Sequence, residues 1–108
     1  MTYLIQARSK TLSAEHGAQY GVHFESEKIV FFQGGSYIES DSQNQEIILP
    51  TTVEISSIIL SGGGSDVLFK KLNGETDNDG TIVLRLKSNY TREKTISIQK
   101  TGLSFIQE

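Results

Sequence analysis

From Gln19 to Ile106 the apolar residues of this chain fall into short runs that mostly alternate with polar ones, and a helical period does not return. Period two marks a strand with one buried face, because successive side chains leave a strand on opposite sides. Tyr20, Val22 and Phe24 alternate with Gly21, His23 and Glu25. Ile82, Leu84 and Leu86 do the same within Thr81–Lys87, and Ile96 and Ile98 within Lys94–Lys100. A chain patterned this way has to close one or more sheets, and only its first residues fall outside the pattern.

Residues 2–16, TYLIQARSKTLSAEH, lack Gly and Pro and are rich in residues that lose little entropy in a helix; Gly17 stands where a C-terminal cap belongs. At about 100° per residue, Leu4, Ile5 and Leu12 form one apolar edge and Tyr3, Ala7 and Ala14 a second, with Arg8, Thr11 and Glu15 between them. Two edges predict a helix with neighbours on two sides.

Further along, Lys28–Gln33 is a continuous apolar run, as in a strand covered on both faces, and residues 35–45 read as a polar loop. Glu46–Leu49 is expected to end or bend at Pro50, the only proline, since the residue before a proline is biased to extended geometry. In Thr52–Leu60, Val53 and Ile55 face one way and Ile58 and Leu60 the other, which predicts a bulge near Ser56 and Ser57. Val67–Leu72 and Leu103–Ile106 complete the strands. Turns are expected at Gly62–Gly64, Asn73–Gly80, Ser88–Glu93 and Thr101–Gly102, and such short connections favour hairpins. The expected fold class is α+β, one N-terminal helix packed on antiparallel sheet of about seven to eight short strands. Residues 1–108 suit a single domain, 1–17 supplying the helix and 18–108 the β-rich part.

Composition removes several chemistries. The chain has no cysteine, so disulfides, zinc–thiolate sites and cysteine nucleophiles are excluded, and His16 and His23 lie on different predicted elements. No apolar run approaches the ~20 residues of a membrane span, and the N-terminus lacks the regions of a signal peptide, so the chain as it stands reads as soluble. The net charge of −3 is uneven: residues 1–65 carry three bases against seven acids, and residues 66–108 carry seven bases against six acids. The basic excess comes mainly from Arg85, Lys87, Arg92, Lys94 and Lys100, with Tyr90 beside them. Such a set either forms a solvated strand face or contacts DNA phosphates, with Tyr90 available for stacking.

The stretch NGETDNDGT, residues 73–81, concentrates carboxylates as a calcium loop does. With Glu75, Asp77 and Asp79 at the first, third and fifth positions, Gly80 takes the sixth, but the twelfth, which requires a bidentate Glu, falls on Leu86. The plainer reading is a hairpin turn joining Val67–Leu72 to Thr81–Lys87, with an irregular oxygen site as the alternative. Neither Gly34-Gly35-Ser36-Tyr37 nor Gly64-Ser65-Asp66 has the strand-to-helix flanks of a serine nucleophile elbow, and Gly62–Ser65 lacks the lysine and helix of a phosphate loop. Asn89-Tyr90-Thr91 matches a glycosylation sequon, of consequence only in a eukaryotic secretory setting. With no acid–base pair at a telling spacing, no enzymatic activity, cofactor or small-molecule substrate is expected.

The last third, VLFKKLNGETDNDGTIVLRLKSNYTREKTISIQKTGLSFIQ, resembles the soluble part of type IV pilin-like proteins, nearest to the minor pseudopilins of type II secretion and the FimT-like minor pilins. Phe69, Gly74, Gly80-Thr81-Ile82, Thr95-Ile96-Ser97-Ile98 and Gly102 stand in the matching places. LIQARSKTLSAEHGAQYGVHF resembles the end of the long pilin helix leading into the first strand. The resemblance implies a pilin-like fold with a truncated helix, the leader, Gly-Phe cleavage site, early Glu and apolar helix of the precursor having been removed upstream of Met1. It implies a structural minor pilin or pseudopilin of a type IV pilus, a DNA-uptake pilus or a secretion pseudopilus, anchored in the inner membrane before assembly and then on the cell surface or in the envelope. The partners would be other pilin subunits, met through Leu4, Ile5, Ala7, Arg8 and Leu12. A DNA-binding minor pilin and an unrelated β-rich carbohydrate-binding or adhesin module are the alternatives.

Overall fold

The structure, a computed structural model, describes residues 2–12, 19–71 and 73–107. The predicted helix forms as α1, Thr2–Leu12; the expectations for Ala14, Glu15, His16 and Gly17 lie outside the described residues. Eight strands follow: β1 Tyr20–Phe24, β2 Lys28–Gln33, β3 Gln45–Ile48, β4 Val53–Leu60, β5 Asp66–Leu68, β6 Gly80–Leu86, β7 Asn89–Ile98 and β8 Ser104–Gln107. They form two antiparallel four-stranded sheets, in the order β3-β2-β1-β5 and β4-β6-β7-β8.

This overturns the expected α+β, pilin-like class: the protein is mostly β. Among the described residues one eleven-residue helix stands against eight strands, and it makes no layer of its own. The core lies between the sheets. Tyr20, Val22, Phe24, Phe31 and Val67 enter it from the first sheet, and Ile55, Leu60, Ile82, Ile96 and Ile98 from the second. Leu4 and Ala7 add only a short apolar patch from α1. Thr11, which the pattern leaves between two apolar edges, is fully buried and ties the helix to β1. Its hydroxyl donates to the Ala7 carbonyl at 2.8 Å and accepts the Tyr20 N–H at 2.9 Å.

The expectation of hairpins fails at three links. The connections β3–β4, β4–β5 and β5–β6 each pass from one sheet to the other. Stacked sheets lie ~10 Å apart, a gap that four extended residues cross at about 3.3 Å each, so a short link serves either connection. Residues 73–79 therefore do not turn a hairpin between β5 and β6, since those strands belong to different sheets. The expected turn at Ser88–Glu93 is also shorter than predicted, because β7 already begins at Asn89. The bulge in β4 stands where the alternation places it, with the register slipping between Ile55 and Ser57.

β2 is covered on both faces. Ile29 and Phe31 meet the core, while Val30 and Phe32 are buried on the far side of the sheet. There the Phe32 ring crosses β1 at Gly21, where a Cβ would stand 2.5 Å from the ring and 2.7 Å from the Val67 carbonyl oxygen. Tyr37, from the polar loop after β2, meets Phe32 edge-on with 5.9 Å between ring centroids.

Candidate functional site

The calcium candidates diverge. Glu75 accepts a hydrogen bond from the Asn73 amide, Asp77 pairs with Lys70 at 3.1 Å, and Asp79 gives its backbone carbonyl to the Ser61 N–H at 2.8 Å. Among the described residues no group of three or more His, Asp or Glu side chains is placed to hold a metal ion. The segment instead bonds to its surroundings. Thr76 donates its hydroxyl to the Leu68 carbonyl and its N–H to the Lys100 carbonyl, and the Asn78 side chain accepts the Leu68 N–H.

His23 sits on the outer face of the first sheet, held between two carboxylates: Nδ1 lies 2.5 Å from Asp66 Oδ1 and Nε2 lies 3.1 Å from Glu25 Oε2. The Tyr37 ring stacks on it at 3.8 Å, nearly parallel. With both ring nitrogens engaged and its face covered, the imidazole is a clamp rather than a base aimed at open space. Lys28 extends the cluster by donating to Glu46.

Two groups here titrate above their ordinary values. Burial, and then the Glu25 carboxylate, raise the Tyr37 phenol above 10.0; the hydrogen bond to Glu46 raises Lys28 above 10.5, against the opposing effect of burial. A raised folded value means that the unfolded chain loses its protons first. The stability from both groups is therefore complete below about pH 10 and lost as pH climbs through the folded values. Thermal melts across the alkaline range are expected to show a fall in Tm that is shallower in Tyr37→Phe than in the parent. Equal slopes would mean that the phenol contributes nothing.

The structure brings the basic candidates together only in part. Arg85 lies 3.8 Å over the Tyr90 ring and 3.7 Å from Glu54, and Lys87 pairs with Glu27 at 3.1 Å. Lys94 is opposite Leu84 in the register, which puts it on the core-facing side of the second sheet, whereas Arg85 is opposite Glu93 on the other side. Lys100 lies beyond the end of β7, whereas Arg85, Arg92 and Lys94 all line one open groove of about 550 Å³ floored by Val53, Leu84, Leu86, Ile96 and Ile106.

The helix candidates divide by side. Leu4 and Ala7 are buried, and Arg8 reaches across the molecule, Nε donating to the Gly74 carbonyl at 3.1 Å and Nη2 to the Thr101 carbonyl at 3.3 Å. Ile5 is 55% exposed and Leu12 is 40% exposed. With Leu103, Gly102 and Ser104 they line an open trough of about 570 Å³. The sequence reading gave no role to Leu103, Phe105 and Ile106, although two adjacent exposed apolar residues in a strand without charge are themselves a signal. No helix among the described residues is long and apolar enough to cross a membrane. Comparison with family models, curated proteins and solved structures gave no match, so the reading rests on the geometry of the chain itself.

Proposed function

We propose that this chain is a non-catalytic building block of a filament of the pilin and pseudopilin kind, working at the cell surface or in the envelope and meeting neighbouring subunits through the outer side of α1. The division of that helix carries the reading. Leu4, Ala7 and Thr11 serve the core of the chain itself, while Ile5 and Leu12 join Leu103 in an apolar trough outside it. A helix serving only its own domain normally turns polar residues outward, so a second apolar edge has a use only when something covers it. The closed-off surroundings of His23 support the non-catalytic part of the reading.

The absence of cysteine makes the test clean. Ile5→Cys, expressed in the native cell and treated with a short bis-maleimide, is expected to give crosslinks to copies of itself or to other small envelope subunits. Ile48→Cys, at an exposed position on β3, should give none. An Ile5→Cys protein that reacts with maleimide yet stays uncrosslinked would overturn the assignment.

A further inference from the structure

The two sheets have four edge strands, and three of them are guarded. On β4 the Ile55 N–H is taken by the Ser26 carbonyl at 2.8 Å. On β5 the Leu68 N–H and carbonyl are taken by Asn78 and Thr76. β3 carries Glu46 and runs into Pro50, two devices that discourage pairing with another strand. β8, Ser104–Gln107, has no charge and no proline. Its Phe105 is 39% exposed and its Ile106 47% exposed.

The register of β8 on β7 decides which backbone groups face outward. The Gln99 N–H donates to the Leu103 carbonyl at 2.9 Å, so in this antiparallel ladder residues 103 and 105 point their backbone groups at β7. Ser104 and Ile106 therefore present N–H and C=O at the open edge. We propose that this edge pairs with β8 of a second copy of the chain, antiparallel about a two-fold axis at Phe105, joining the two second sheets into one continuous eight-stranded sheet.

The geometry selects a second copy because the edge is complementary to itself. A two-fold axis at Phe105 sets Ser104 opposite Ile106 of the other copy, and Ile106 opposite its Ser104, so every outward N–H and C=O of these residues meets its counterpart. Such a self-complementary patch closes as a dimer. The strip carries no charge in a chain whose net charge is −3, so two copies meet here without the repulsion a charged edge would bring. On the outer face the two Phe105 side chains become direct neighbours. On the inner face each Ile106 lies beside the groove floored by Leu84 and Ile96. This contact adjoins the trough beside α1 at Ser104 but is made by the backbone of β8, and it does not rest on the filament reading.

Phe105→Cys tests the register. Directly opposed residues in a non-hydrogen-bonded pair have Cα atoms about 4.5 Å apart, within disulfide range. Mild oxidation is expected to convert this variant to a covalent dimer and to leave Ile59→Cys, at a more exposed position on β4, monomeric. Sedimentation of the unmodified chain should show a monomer–dimer equilibrium. Ile106→Pro, which deletes an outward N–H and no bond to β7, is expected to abolish it. Should that variant fail to fold, Phe105→Lys, which sets two like charges across the axis, should weaken the dimer by about tenfold or more. Ile5→Lys should leave it intact. A chain that stays monomeric up to its solubility limit, or a dimer lost in Ile5→Lys and kept in Ile106→Pro, overturns the proposal.

Discussion

Gly102→Ala should lower the melting temperature by roughly 10–20 °C, the equivalent of about 3 kcal/mol in a domain of this size. Gly102 closes the turn between β7 and β8 with φ of +89°, and its N–H donates to the Gln99 carbonyl at 2.8 Å. An alanine there meets the left-handed penalty of roughly 1–2 kcal/mol. Its Cβ would also be driven into the Gly74 carbonyl oxygen and would stand 2.7 Å from Arg8 Nε, so the turn, the 73–79 segment and the helix staple all have to shift. Gly63→Ala separates the two effects. That residue has φ of +80° but nothing within 4 Å of an added Cβ, so it should cost only about 1 kcal/mol. Equal losses at the two sites, measured by thermal or urea melts, would show that strain alone acts and that the packing around Arg8 is loose.

Phe69→Ala is expected to cost about 3–5 kcal/mol, the range for removing a buried aromatic ring. Phe69 is fully buried and lies just after β5, where it bridges Thr76 and fills the core the two sheets share. Against a total stability of about 5–15 kcal/mol for a typical domain, that loss leaves the fold marginal. Phe105→Ala, at the exposed edge, should stay within about 0.5 kcal/mol. Denaturant melts of the two variants decide the matter, and a Phe69→Ala loss below about 1 kcal/mol would mean that the core closes over the cavity.

The strands were legible because their signals are local. Period two located β1, β6 and the second half of β7, a continuous apolar run located β2, and the reversal of facing between Ile55 and Ile58 disclosed the bulge. Which strands share a sheet was not legible. Alternation reports that a side chain is buried, and Val22 and Ile82 read alike whether they lie in one sheet or face each other across two. The class was misjudged for a related reason, since a helical period in the first residues measures propensity and not how much core a helix covers. Thr11 shows the limit of apolar counting, because it is buried for its hydroxyl. Tyr37 gave no warning from a polar loop, and Arg8, read as a surface residue for a partner, spends its guanidinium on two carbonyls of its own chain. The open edge of β8 could have been suspected from Phe105-Ile106, but only the pairing of β4 and β5 shows that it is the unguarded one.

Those two bonds of Arg8 span 66 and 93 residues of chain. The turns joining β1 to β2, β6 to β7 and β7 to β8 close over a few residues each, and the entropy of closure rises with the length of the loop. On the ribosome the guanidinium has no second carbonyl to hold until Thr101 has been made. The second bond of the Arg8 staple is thus among the last contacts of this fold to form, although Thr11 ties the same helix to β1 across only 9 residues.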